Sequence, residues 1–225
     1  MPDQKHIVVF SHGFGVRKDD RGLLSDIAAS LPEAGSVLFD YFEVDEDAKT
    51  LTIRLLSEQA KMLNRVITEV RRDHPEAIID IIAHSQGTIV AALAKPAGIR
   101  KTILLAPVFD MGIERTVKRY GSAIDLNGIS KLPSVDGLTR LVPPEYWAGR
   151  ATLKPFEEYN SFSKMTELIV IEAAEDEILS RVDLSPLDPS IKTMTLPGDH
   201  GFNGDARQGL KTTLKALLSL SSFTI

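Results

Sequence analysis

The stretch that most constrains this chain is Ile78-Ile79-Asp80-Ile81-Ile82-Ala83-His84-Ser85-Gln86-Gly87. A β-branched apolar run of this kind reads as a strand buried on both faces. It ends abruptly in Ala-His-Ser-Gln-Gly, and Thr88 to Lys95 then read as a helix that stops before Pro96. A strand that passes into a helix over so few residues needs a sharp turn, which lifts the Ser85 hydroxyl clear of the backbone at the carboxyl end of a sheet. The positions two before and two after the serine must be small, because strand and helix nearly touch there; here they are Ala83 and Gly87. The helix also points its first N–H groups at this spot, where they favour developing negative charge. A plain helix N-cap is the competing role for Ser85. It leaves unexplained the matching residues found elsewhere in the chain.

The rest of the chain supplies the sheet that such a turn requires. Ile7 to Ser11, Ser36 to Asp40, Lys101 to Ala106, Leu168 to Ala173 and Ile191 to Leu196 read as further strands, most of them predominantly apolar. Leu23, Leu24, Ile27, Ala28 and Leu31 recur at helical spacing and end at Pro32. From about Thr52 to Arg72, Leu55, Gln59, Met62, Val66 and Val70 line one face of a long helix, with Leu56, Leu63 and Ile67 beside it. Asp205 to Leu220 reads as a closing helix with Leu210, Leu214 and Leu217 inward. Strands alternating with helices imply an α/β domain on a parallel sheet covered on both faces, with right-handed crossovers. The acidic stretch around Asp40, Glu43, Asp45, Glu46 and Asp47 reads as a solvated loop, or as charge that discourages anionic substrates. Residues 111–165 interrupt the rhythm with scattered Gly and Pro and hold the only tryptophan, Trp147. They are expected to form a cap over the site, within a single domain spanning 1–225.

An activated serine needs a base, and the base needs an orienting acid. Of the five histidines, only His200, in Gly198-Asp199-His200-Gly201-Phe202, falls in a loop directly after the last strand. His6 precedes the first strand and His74 sits at a helix exit. His12 lies in the glycine turn after the first strand, and the His84 side chain diverges from its neighbour Ser85. The run Glu175-Asp176-Glu177 follows the penultimate strand; Asp176 is best spaced to curve back toward His200, with Glu175, Glu177 and the more distant Asp110 as rivals. Backbone N–H groups of Phe14 and Gln86 are the expected oxyanion hole. His12, His84, Tyr146 and Trp147 are candidate substrate contacts. Tyr146, Trp147, Phe156, Tyr159 and Phe162 fit either an acyl or aryl pocket or a small core within the cap, and Arg115, Lys118 and Arg119 fit either a carboxylate site or a solvated helix face.

Composition narrows the partners. A formal net charge of -5 gives no reason to expect nucleic-acid binding. No apolar run reaches the ~18 residues of a membrane span, and no signal peptide is expected before the first strand. The absence of cysteine excludes disulfides and thiolate chemistry and fits a cytoplasmic protein. No metal or organic cofactor is expected. A small-molecule substrate and a monomer or homodimer complete the reading.

Four segments carry a family resemblance: Ser-His-Gly-Phe-Gly (11–15), Ala-His-Ser-Gln-Gly (83–87), Glu-Asp-Glu-Ile-Leu (175–179) and Gly-Asp-His-Gly-Phe (198–202). Together they resemble the α/β-hydrolase superfamily, in which a serine, an acid and a histidine occur in this chain order. Within it the chain is most similar to small bacterial esterases with a cap inserted after the sixth strand of the full fold, including the cinnamoyl and feruloyl esterase-like group. The resemblance implies a minimal, mostly parallel six-stranded sheet that starts at the third strand of the full fold. It also implies a Ser85–Asp176–His200 triad that hydrolyses carboxylic esters through an acyl-enzyme. The same triad serves thioesters, amides and C–C bonds, and a non-catalytic binding protein on this fold is the reading of another class. Ala83 stands where the family usually has glycine, a change shared with some small bacillus lipases. Serine as nucleophile argues against the dehalogenase and epoxide hydrolase branches, which need aspartate there.

Overall fold

The structure is a computed structural model that describes residues 5–179 and 181–219. In chain order its elements are β1 (His6–Ser11), α1 (Leu23–Ala29), β2 (Gly35–Leu38), β3 (Glu43–Asp45), β4 (Thr50–Thr52), α2 (Leu56–Asp73), β5 (Ile78–His84), α3 (Gln86–Ala94), β6 (Lys101–Leu105), α4 (Glu114–Tyr120), β7 (Ser130–Leu132), β8 (Thr139–Val142), α5 (Pro144–Ala151), α6 (Pro155–Phe162), β9 (Glu167–Ala173), β10 (Lys192–Leu196) and α7 (Asp205–Leu218). The expected end of the closing helix at Leu220 lies outside the described residues.

Six strands form one sheet in the order β10-β9-β6-β5-β1-β2, and every pairing in it is parallel. This is the α/β-hydrolase arrangement that the sequence implied. The chain leaves β1 toward β2, then returns to the other side of β1 to lay down β5. Strand order therefore reverses between β1 and β5, and the loops after these two strands open into the crevice where such sheets hold ligands. Side chains from α1 and α7 pack on one face with Val8, Phe10, Ile103 and Ile169. The other face carries α2, α3, α5 and α6 over Val9, Ile79, Ile81 and Leu104. The buried stripe of α2 is Leu56, Gln59, Ala60, Leu63, Ile67 and Val70, which shifts the expected face toward its flanking residues.

A second sheet was not anticipated. It runs β3-β4-β8-β7, with β4 and β8 parallel and the outer pairs antiparallel. Part of the acidic stretch read as loop is thus β3, and the start assigned to the long helix is β4. The helix begins only at Leu56, where the Glu58 carboxylate accepts the Leu55 N–H at 3.0 Å. Residues 130–142 reach back to strands laid down before α2, so the long segment after β6 is tied into the body of the molecule. Buried Arg140 on β8 donates from Nε to the Gly15 carbonyl at 2.7 Å and pairs with Asp136, which pins the turn after β1.

Candidate active site

Ser85 sits between β5 and α3 with φ 52° and ψ −124°. This is a strained backbone for a residue with a side chain, held only where the surroundings over-determine it. Gly87 shows what determines it. A Cβ there would lie 2.2 Å from the Ser11 carbonyl oxygen and 2.7 Å from that of His12, so the helix can start against β1 only with a bare backbone. The Ser11 hydroxyl bonds both the Tyr41 hydroxyl, at 2.7 Å, and the Gly87 carbonyl, at 3.0 Å, which fixes the contact from the other side.

His200 and Asp176 meet Ser85 at this end of the sheet. His200 Nε2 lies 2.9 Å from Ser85 Oγ, and His200 Nδ1 lies 2.8 Å from Asp176 Oδ2. The acidic run divides its work by position. Glu177 accepts the His200 N–H at 3.0 Å, Glu175 accepts the Gly198 N–H, and only Asp176 reaches the imidazole. Asp176 also accepts the N–H groups of Ile178 and Leu179 at 2.8 and 2.7 Å. Burial would raise its pKa, but the His200 bond and charge, with these N–H groups, outweigh that and hold it below the ordinary carboxylate range. The rival Asp110 is exposed and accepts the Gly112 N–H at 2.8 Å.

Two backbone N–H groups beside Ser85 Oγ are already committed. The Ser85 N–H donates to the Leu105 carbonyl at 2.9 Å and the Gly13 N–H to Asp20 Oδ2 at 2.9 Å. Gln86 is the first residue of α3, so its N–H has no acceptor within the helix. Phe14 and Gln86 line the same cavity as Ser85.

The remaining histidines are structural in their contacts. His12 is fully buried; its Nε2 accepts the Tyr41 N–H at 3.0 Å, so Nδ1 carries the proton and donates to the Gly13 carbonyl at 3.0 Å. Burial lowers its pKa, in keeping with a neutral ring. His84 turns away from Ser85, as expected, but ends in a buried pair. Its Nδ1 lies 2.7 Å from Asp20 Oδ2 and its Nε2 2.9 Å from the His200 carbonyl oxygen. Both acceptors lack a hydrogen to give, so both ring nitrogens donate and the ring is an imidazolium. Burial opposes that charge, yet Asp20 more than offsets it and the His84 pKa rises; that of Asp20 falls correspondingly, against its own burial. The carboxylate comes from a left-handed turn, with Asp20 at φ 48° and Arg21 at φ 55°. At the opposite end of the sheet, His6 Nε2 and Arg100 close on buried Asp80.

A cavity of about 720 Å³ opens at Ser85. Its walls include Phe14, Ile89, Val108, Met111, Tyr120 and Leu179 as apolar surface and Lys118, Arg119 and Arg150 as cations. None of His12, His84, Tyr146 and Trp147, the expected substrate contacts, is among the residues that line it. The two aromatics are buried for a reason of their own. The Tyr146 hydroxyl donates to the Gln86 side-chain oxygen, and Gln86 Nε2 donates to Gln59 Oε1 at 2.9 Å. Burial pushes the Tyr146 phenol up to about 12. Trp147 Nε1 donates to Ser130 Oγ at 3.0 Å. Tyr159 and Phe162 are likewise core residues, with the Tyr159 hydroxyl bonded to Thr88 Oγ1 and the Val108 carbonyl, both at 2.9 Å. Phe156 stacks on Phe109. Asp20, Tyr41, Gln59 and Thr88 hold the site in place; in the sequence Asp20 and Thr88 are simply polar residues beside its motifs, Tyr41 lies apart from them, and Gln59 reads only as part of a helix face.

Comparison with known proteins agrees with this architecture. The structure resembles Est1E from Butyrivibrio proteoclasticus with ferulic acid bound, at TM-score 0.72 and 17% identity over 96% of this chain and 89% of that one. It resembles the esterase domain of a Rhodothermus marinus protein at TM-score 0.66 and 16% identity, over 96% and 88% of the two chains. A Pyrococcus furiosus esterase aligns at TM-score 0.65 and 14% identity, over 96% and 82%. Residues 54–106, from the approach to α2 through β6, match the family described as the T6SS Tle3 phospholipase effector domain. No curated protein matches the sequence. The chain has the α/β-hydrolase fold.

Proposed function

We propose that this protein is a serine hydrolase that cleaves carboxylic esters through an acyl-enzyme. The observation that carries the reading is the unbroken chain Ser85 Oγ–His200–Asp176, with links of 2.9 and 2.8 Å, opening on a cavity with apolar walls. The esterase neighbours and the phospholipase family match support the same reaction class. His200 Nε2 takes the Ser85 proton as Oγ attacks the ester carbonyl. Asp176 holds the Nδ1 hydrogen and stabilises the imidazolium that forms. The N–H groups of Phe14 and Gln86 take the charge on the carbonyl oxygen. As the tetrahedral intermediate collapses, the bond to the leaving alkoxide breaks and His200 gives it the proton. Water, activated by the same imidazole, then attacks the acyl-serine and releases the acid and the free hydroxyl. Residues 111–165 act as the cap, since Met111, Thr116, Lys118, Arg119, Tyr120 and Arg150 all face this cavity.

Intact-mass labelling with a fluorophosphonate tests the reading. Stoichiometric label on the peptide carrying Ser85, absent in Ser85→Ala and slowed in His200→Ala and Asp176→Asn, is the expected result. A folded wild-type protein that takes no label overturns it.

A further inference from the structure

The Ser85 cavity has a charge that the chain as a whole does not. The protein is formally -5, yet three cationic residues and only two acidic ones line this space. Both acids are committed. Asp176 holds His200 and two backbone N–H groups, and Glu177 accepts the His200 N–H. The three cations are Lys118 and Arg119 on α4 and Arg150 at the end of α5. Among the described residues, no carboxylate lies within ion-pair distance of any of them.

Arg150 is the informative member. It is half-buried, and its guanidinium bonds neutral groups: the Met111 carbonyl at 3.1 Å, the Gly112 carbonyl at 3.3 Å and Thr116 Oγ1 at 3.4 Å. These contacts fix its orientation between α4 and α5 and leave its charge uncompensated. Asp110 and Glu114 border a separate hollow that Arg150 also lines. Arg119 lies against the Tyr120 ring, with 5.5 Å from Cζ to the centroid, which keeps that side chain along the wall. The Arg115 side chain, the third basic residue of α4, lies outside the described part of the structure. A half-buried guanidinium without an anionic partner, beside two more cations, is built to receive an anion.

We infer that the ester taken by this site carries a second, anionic group, a carboxylate or a phosphate, which Lys118, Arg119 and Arg150 hold while the apolar wall of Ile89, Val108, Met111 and Leu179 takes the chain between. The inference rests on the ester-hydrolase reading above and names its substrate class. It also reverses the expectation that acidic residues guard the mouth, since β3 and its neighbours contribute nothing to the lining of this cavity.

Matched substrate pairs test it: 4-nitrophenyl hexanoate against 4-nitrophenyl hydrogen adipate, 4-methylphenyl butyrate against 4-carboxyphenyl butyrate, and 1-butyryl glycerol against its 3-phosphate. The pairs separate acyl-side from alcohol-side charge and carboxylate from phosphate. In at least one pair the anionic member is expected to have the higher kcat/KM, by about fivefold or more, chiefly through KM. The ratio should fall toward one in K118Q/R119Q and in R150Q, and with salt as screening shortens toward about 3 Å at 1 M. Neutral members equal or better in every pair, with ratios unchanged in K118Q/R119Q, overturn the inference. Titration of Ser85→Ala protein with adipic acid monoamide and with hexanamide reads the same preference without turnover. Tighter binding of the anion, weakened in K118Q/R119Q, supports the subsite even if the wild type takes no fluorophosphonate. Equal binding removes the subsite and leaves the labelling result standing by itself.

Discussion

The molecule contains two aspartate–histidine pairs within a few ångströms of each other, and they differ in what the second ring nitrogen meets. In both, an aspartate Oδ2 faces a histidine Nδ1, at 2.8 Å for Asp176–His200 and 2.7 Å for Asp20–His84. His200 Nε2 then faces a hydroxyl, Ser85 Oγ, which can donate; His84 Nε2 faces a carbonyl, that of His200, which cannot. The first ring can therefore stay neutral and accept a proton, while the second must already be protonated. The first pair is arranged for proton transfer and the second as a strut. Through Asp20 the strut reaches the Gly13 N–H, and through His84 it reaches the His200 backbone, so one buried ion pair ties together the turn after β1, the turn after β5 and the histidine loop. The lesson is that an aspartate–imidazole contact defines a base only when the far nitrogen faces a donor.

The largest expected effects fall on the first pair. Ser85→Ala and His200→Ala should lower kcat on a neutral ester by about five to six orders of magnitude, and Asp176→Asn by about four, by fixing the wrong tautomer. None of the three should lower Tm by more than a few degrees, as read by calorimetry. If His84→Gln matches His200→Ala in rate while leaving Tm unchanged, the division of roles collapses.

The second pair should show the reverse. His84→Gln strands a buried carboxylate, which costs about 3–5 kcal/mol, or roughly 10 °C in Tm for a chain of this size. Turnover should fall only about tenfold, because the proposed base and nucleophile remain. The Asp20→Asn/His84→Gln double variant should recover part of the lost stability, since no lone charge is left inside. A double variant as unstable as the sum of the singles would mean that Asp20 and His84 act separately.

A pH series sharpens the contrast without mutation. The folded pKa of His84 lies above its unfolded value of about 6.5, so its contribution is complete below that pH and is lost as pH rises through the folded value. The folded pKa of Asp20 lies below its unfolded value of about 3.9, so its contribution is present above that and lost as pH falls toward the folded value. Chemical denaturation across pH 4 to 9 should show stability declining on the alkaline side in the wild type, and a flatter profile in the double variant. Asp176, lowered in the same direction as Asp20, should keep its own negative charge through the mildly acid range.

Local pattern carried much of this and failed where contacts are distant. The parallel sheet was legible because most of its strands are largely apolar runs. The meeting of Ser85, Asp176 and His200 follows from three loops at the same ends of those strands. The second sheet was not legible, because β3, β4, β7 and β8 are three or four residues long and its two local pairs are joined only by β4 and β8, across some ninety positions of sequence, as Leu51 is to Arg140. Asp20 sits beside Asp19 in a polar run, and nothing local says which of the two turns inward; a left-handed backbone decides it. Tyr146 and Trp147 have the composition of a pocket, and only the Gln86 and Ser130 side chains opposite reveal them as anchors.

The smallest predicted effect asks how much of the His200 loop the strut alone secures. The loop backbone is held twice: its carbonyl by His84 from inside and its N–H by Glu177 from outside, at 2.9 and 3.0 Å. The two bonds are alike in length and opposite in setting. His84 is buried and charged, with no water to replace it, whereas Glu177 is exposed and its acceptor is exchangeable for solvent. Glu177→Ala should therefore reduce kcat/KM no more than about threefold and leave Tm within about 2 °C of the wild type, as read in the same assays. On a neutral ester, which makes no use of the charge of the cavity that Glu177 lines, the rate loss should fall on kcat. A Glu177→Ala defect as large as that of His84→Gln would show that the outer bond positions the imidazole, and the buried pair would then be a stabilising element of the fold alone.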